Sequence, residues 1–122
     1  MILVDTSVWI NYLRDGNHRL ERLLLDGDVV CHNNIIGELA CGNIKNRKEI
    51  ISLLQSLPLI KDVEFQEFLY FIEQNQLSGK GIGFVDIHLL ASAKLEQLPL
   101  WTEDKRLKTA AKVLDLDYKT KR

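Results

Sequence analysis

Apolar residues fall along the chain in two rhythms. Short unbroken runs, ILV at 2–4, VVC at 29–31, LPLI at 57–60 and LPLWT at 98–102, have the length and composition of strands buried on both faces. Between them lie longer stretches at helical spacing. VWINYLR (8–14) closes on the turn residues DGN, and RLERLLLD (19–26) sets Leu20, Leu23 and Leu24 on one side and stops at Gly27. IIGELACG (35–42) leads into the amphipathic NRKEIISLLQSL (46–57), which ends before Pro58. Thr6 or Ser7 is the expected cap of the first helix, and Asn33 or Asn34 of the third. VEFQEFLYFIEQNQ (63–76) reads as a helix with Phe65, Phe68, Leu69 and Ile72 inward. FVDIHLLASAKLEQL (84–98) reads as a helix whose small Ala91, Ser92 and Ala93 permit close approach to a sheet. The LSGKGIG between them, with three glycines in seven residues, is a loop. DKRLKTAAKV (104–113) forms a last helix and LDLDY (114–118) a short edge strand.

Strands alternating with helices at this rhythm predict an α/β fold, a parallel sheet of four to five strands covered by helices on both faces. The 122 residues suit one domain, 1–122, with one core. A hydrophobic share of 46% and a charged share of 27% are those of an ordinary globular chain, and there are no repeats or low-complexity segments. No apolar run approaches the roughly 20 residues that span a bilayer, and MILV lacks the length and basic flank of a leader, so a cytoplasmic protein with no membrane partner is expected. Cys31 and Cys41 lack metal-site spacing and are read as reduced, buried residues. The net charge of −1 conceals a basic end: Lys105, Arg106, Lys108, Lys112, Lys119, Lys121 and Arg122 outnumber the acids from Trp101 onward. Such an end can meet phosphates, or it can be a solvated face.

Topology then places the acids. In an open parallel sheet, ligands bind at the carboxyl ends of the strands, where loops and helix N-termini gather. Asp5 directly follows the first strand, Glu38 lies near the start of the helix after the second, Asp86 near the start of the helix leading to the fourth, and Asp104 two residues past Thr102. Four carboxylates thus fall on one edge, whereas Glu21, Asp28, Glu49, Glu64, Glu67 and Glu73 fall on polar helix faces or the opposite edge. Two unit charges about 4 Å apart repel by roughly 4 kcal/mol at an effective dielectric near 20. A helix N-terminus returns only about 0.3–1 kcal/mol. Either some of these acids are protonated or a divalent cation sits among them. Hard oxygen donors without a well-placed cysteine or histidine favour Mg²⁺ or Mn²⁺ over Zn²⁺. Ions held this way serve phosphodiester hydrolysis.

The segments ILVDTSVWI, IGELACG, GIGFVDIHLLASAK and LWTEDKRL together resemble a PIN domain, specifically the VapC toxins of toxin–antitoxin pairs, over nearly the whole chain. The resemblance implies a PIN-like three-layer α/β/α sandwich and a metal-dependent endoribonuclease that hydrolyses RNA with metal-activated water, leaving a 5′-phosphate and a 3′-hydroxyl. By match of motif, Asp5, Glu38, Asp86 and Asp104 are its catalytic acids and its ligands for Mg²⁺, for which Mn²⁺ can substitute. Ser7 and Thr102 stand where the family places residues that orient the acids or their waters. Glu103 adds a further acid inside the T-x-D stretch. The resemblance also implies a homodimer and a cognate VapB-type antitoxin that inserts a residue into the site.

Blander readings stand beside these. Asp5 can cap the first helix, Glu38 can be a surface residue, and Asp86 can favour its helix electrostatically. His32 and His88 are read as structural, and Trp9 and Trp101 as core or dimer contacts. Two rival functions are a phosphoacceptor signalling domain, which needs a paired acid beside Asp5 and a phosphorylatable Asp after the third strand where only Asp62 offers itself, and a catalytically inactive RNA-binding module.

Overall fold

The computed structural model describes residues 1–119. Thr120, Lys121 and Arg122, the last two part of the basic end, lie outside the described residues. The elements run β1 (Ile2–Val4), α1 (Thr6–Asp15), α2 (His18–Leu25), β2 (Val29–Val30), α3 (Asn33–Cys41), α4 (Arg47–Ser56), α5 (Phe65–Asn75), α6 (Phe84–Glu96), β3 (Leu100–Trp101) and α7 (Lys105–Val113). Every helix expected from the apolar spacing is present within a few residues of its expected ends.

The sheet has the order β2-β1-β3 with both pairings parallel, Leu3 facing Val30 on one side and Leu100 on the other. It has three strands among the described residues, not four to five. The stretches at 57–60 and 114–118 come alongside at one residue each, through parallel bridges of Cys31 with Leu59 and of Leu100 with Asp117. On one side Cys31 N–H donates to Pro58 O and Ile60 N–H to Cys31 O. Pro58 has no N–H to extend that ladder. On the other side Asp115 has a φ of +58°, so the chain turns sharply before Leu116 and only the bonds Leu100 N–H to Leu116 O and Tyr118 N–H to Leu100 O form.

All seven residues of the three strands are buried. Successive strand residues point to opposite faces, so both faces of the sheet are covered. α6 is the innermost helix: Ile87 to Ala93 are buried without interruption, as befits a helix with neighbours on every side. In α5 only part of the expected face is inward. Phe68 and Phe71 are buried, whereas Phe65 and Leu69 are exposed, the rings of Phe65 and Phe84 both packing against Phe68. Trp9 and Trp101 are both core residues. Cys31 is buried, and burial pushes its thiol up to about 11. Cys41, at the end of α3, is exposed, contrary to the expectation that both thiols are inside. No helix among the described residues is long and apolar enough to cross a membrane.

Leu3 is the residue hydrogen-bonded into both neighbours of the central strand and is fully buried. Leu3→Ala is expected to cost about 2–5 kcal/mol of unfolding free energy, read from urea denaturation.

Candidate active site

In the order β2-β1-β3 the chain passes from β1 to β2 on one side and later crosses to β3 on the other, and in open parallel sheets ligands bind outside the carboxyl ends of the strands at such a point. Asp5 stands at that point, its N–H bonded to Trp101 O across the β1–β3 pairing. It caps α1: its backbone carbonyl accepts from Val8 and Trp9, and its side chain accepts weakly from Ser7 N–H at 3.4 Å. The expected caps Thr6 and Ser7 are therefore inside the helix. Their side chains are turned to other work.

Asp5 is only 3% exposed, and the hydrogen bonds to its carboxylate converge on one oxygen. Oδ2 accepts from Ser7 Oγ and from Thr102 Oγ1, both at 2.8 Å. Ser7 Oγ in turn accepts from Glu103 N–H at 2.9 Å, and Thr102 Oγ1 from Asp104 N–H at 3.0 Å. The two hydroxyls thus weld the segment after β3 onto the segment after β1. No hydrogen bond reaches Asp5 Oδ1 among the described residues. The one fully buried side-chain polar atom left unpartnered there is Trp9 Nε1, so Oδ1 retains access to solvent.

Asp104 caps α7, its Oδ1 accepting from Leu107 N–H at 2.9 Å. Glu38 is exposed on α3 and accepts from Thr6 Oγ1 at 2.7 Å. Asp86 lies in the first turn of α6 and is partly buried. Its carboxyl is pushed up to about 7, first by burial and then by the negative charges of Asp5, Glu38 and Asp104. Of the four acids expected to share an edge, Asp5, Glu38 and Asp104 all lie near enough for their charges to act on Asp86. Asp104, not Glu103, is the acid of the T-x-D stretch that Asp86 feels; Glu103 is exposed and contributes its backbone N–H.

None of the ion pairs among the described residues involves any of these four acids. Their repulsion is uncompensated by lysine or arginine. The donor set, hard carboxylate oxygens in a partly desolvated basin, fits a divalent cation such as Mg²⁺ or Mn²⁺. The carboxylates are gathered loosely, however: among the described residues no three aspartate, glutamate, histidine or cysteine side chains stand close enough to form a ready-made cage.

Sequence reasoning passed over two features. Thr6 ties Glu38 to α1, a contact that depends on the packing of α1 against α3 and leaves no local trace. Asp62 is the second. Burial would raise its carboxyl, but the His88 hydrogen bond and the neighbouring imidazoles His32 and His88 outweigh that and hold it below the usual carboxylate range. The same burial depresses His32, against the pull of Asp62. The helix cap expected from Asn33 or Asn34 is supplied by His32, whose Nδ1 accepts from Asn34 N–H at 3.0 Å. With Asp62 so engaged, and Asp5 flanked by hydroxyls rather than a paired acid, the requirements of a phosphoacceptor domain are not met.

A parallel β2-β1-β3 sheet with acids along its carboxyl edge defines the class, and the sequence agrees: residues 2–113 match the PIN domain family, and the chain belongs to it. Within that family it is 47% identical over 111 residues to Ribonuclease VapC32 of Mycobacterium tuberculosis, in each of two strains, the match covering 90% of either chain. Among solved structures, FitAcB from Neisseria gonorrhoeae superposes with a TM-score of 0.62 at 24% identity, over 92% of this chain and 94% of that one. PAE2754 from Pyrobaculum aerophilum gives the same TM-score at 15% identity, over 89% and 83%. These two likenesses are of fold.

The raised Asp86 carboxyl has a consequence for stability. An acid whose folded pKa exceeds its unfolded value of about 3.8 binds its proton more tightly when folded, so its contribution is greatest below pH 4 and is lost as pH rises towards 7. In chelator-treated buffer, Asp86→Asn is expected to melt higher than the parent above pH 7. The difference in melting temperature should shrink steadily as pH falls from 7 to 4; a difference independent of pH would refute the assignment.

Proposed function

We propose that the chain is a metal-dependent endoribonuclease, the toxin of a toxin–antitoxin pair acting in the cytoplasm. The observation that carries this reading is that Asp5, Glu38 and Asp104, none of them in an ion pair among the described residues, lie around Asp86, whose carboxyl is pushed up to about 7 first by burial and then by their three charges. The 47% identity to a VapC ribonuclease supports RNA as the substrate.

In this reading Asp5, Glu38, Asp86 and Asp104 hold Mg²⁺, with Mn²⁺ able to substitute. The bound ion would supply activation of water and stabilisation of the leaving oxygen. The chain's own residues do the orienting. Ser7 and Thr102 hold Oδ2 of Asp5, so that the lone pairs of Oδ1 point outward in a fixed direction. The cap that Asp104 makes with Oδ1 leaves its second oxygen free for the basin. Thr6 restrains the exposed Glu38 through Oε1 and leaves Oε2 unbonded. Lys105 and Arg106, beside Asp104 at the start of α7, are placed to attract RNA phosphates.

A cognate VapB-type antitoxin and a homodimer follow from the resemblance to VapC toxins. The exposed rings of Phe65 and Phe84, both packed on Phe68, offer an apolar surface for such a dimer.

Purified chain should cut RNA with Mg²⁺ or Mn²⁺ and stop on chelation, leaving 5′-phosphate ends when the fragments are mapped. Asp5→Asn or Asp86→Asn should lower the cleavage rate by about 100-fold or more with the circular dichroism spectrum unchanged, since loss of even an outer-sphere partner costs about 10–100-fold. A fully active Asp5→Asn would end the proposal. Ser7→Ala should fall between parent and Asp5→Asn.

A further inference from the structure

Four donors crowd a single oxygen of Asp62. Oδ1 lies 2.9 Å from Val63 N, 3.0 Å from His88 Nδ1, 3.2 Å from His32 Nε2 and 3.4 Å from Ser92 Oγ. His32 Nε2 and Ser92 Oγ are themselves 3.1 Å apart. His32, His88 and Ser92 are all buried. The tautomer of His32 is fixed by its other nitrogen: Nδ1 accepts the Asn34 N–H, so the neutral ring carries its proton on Nε2, aimed at Asp62 and Ser92. A neutral His32 therefore has no lone pair for a cation on that side, and the cluster is a hydrogen-bonded junction rather than a metal cage. His88 is held in its pose by stacking on Phe68 at 4.1 Å and by the edge contact with Phe84 at 4.6 Å.

The junction joins three separate parts of the chain. His32 stands at the N-terminus of α3, which carries Glu38. His88 and Ser92 are four residues apart on α6, hence on one face of it, and Asp86, two residues before His88, projects from roughly the opposite face. Two anchors on one stripe fix both the rotation of α6 about its axis and its position along it. A rotation of α6 would swing Asp86 in the opposite sense from the anchored side, and a slide along the axis would carry Asp86 with it. At a catalytic site a misplacement of about 1 Å costs about 100-fold.

We propose that Asp62 is a positioning residue for the acid edge: by gripping the start of α3 through His32 and one stripe of α6 through His88 and Ser92, it sets the placement of Glu38 against Asp86. This rests on the nuclease reading above. Asp62 comes from the segment after the Cys31–Leu59 bridge. Its work is done through the two helices.

The test uses the full chain in two measurements. Nitroxide labels on the exposed native Cys41 of α3 and on Lys94→Cys of α6 report the distance between the helices without metal, the buried Cys31 being protected from labelling. Calorimetric titration with Mn²⁺ alone reports the acid edge. Asp62→Ala is expected to broaden the distance distribution and to weaken Mn²⁺ binding about tenfold or more at unchanged stoichiometry, the range seen when outer ligand supports are lost. Asp62→Asn, which keeps one acceptor oxygen, should recover part of both. If Asp62→Ala does not fold, Ser92→Ala and His88→Phe, which keep the bulk and remove one donor each, are read in the same way. An unchanged distance distribution would overturn the proposal, as would a broadened one with parental Mn²⁺ affinity. Failure of the parent to bind Mn²⁺ would instead bring down the nuclease reading, and this proposal with it.

Discussion

A carboxylate almost wholly buried at the end of the central strand has to be hydrogen-bonded or protonated, and the surroundings of Asp5 are built around that requirement. One oxygen receives the hydroxyls of Ser7 and Thr102, each of which also accepts a backbone N–H from the segment following β3. The start of α1, the end of β3 and the approach to α7 are joined through a single atom. That convergence leaves the other oxygen of Asp5 available. The chemistry proposed for the edge depends on this asymmetry more than on the number of acids nearby.

Asp86 shows the opposite strategy. Nothing among the described residues neutralises it, and burial together with three neighbouring charges makes its ionised form unfavourable. Proteins tolerate such repulsion where function requires it, at a cost to the stability of the ligand-free state. The loose spacing of the acids fits the same picture. Among the described residues they are coupled electrostatically without forming a closed cage.

The helices were legible because their apolar residues recur at a period that no strand shares, and the ends of α2, α5 and α6 lie close to where the spacing put them. Errors came where a choice depended on the neighbours of a segment. Residues 57–60 and 114–118 have strand-like composition, but Pro58 and the left-handed Asp115 each restrict pairing to one residue. Phe65 and Leu69 satisfy helical periodicity as well as Phe68 does, yet nothing covers them in the single chain. Cys41 looked like Cys31 because the two differ only in what packs over them.

For the acids, sequence order and topology put Asp5, Glu38, Asp86 and Asp104 on one edge, since the carboxyl end of a parallel strand is fixed by chain direction, and in the fold the charges of the other three reach Asp86. The sequence also contained the motifs by which the chain resembles its family. What it could not contain was the pairing of side chains remote along the chain: Thr6 with Glu38, Thr102 with Asp5, and Asp62 with His32, His88 and Ser92. Those contacts come from how the helices lie against one another, and no local periodicity encodes that. Chain direction determined which edge holds the acids; helix packing decided what supports them.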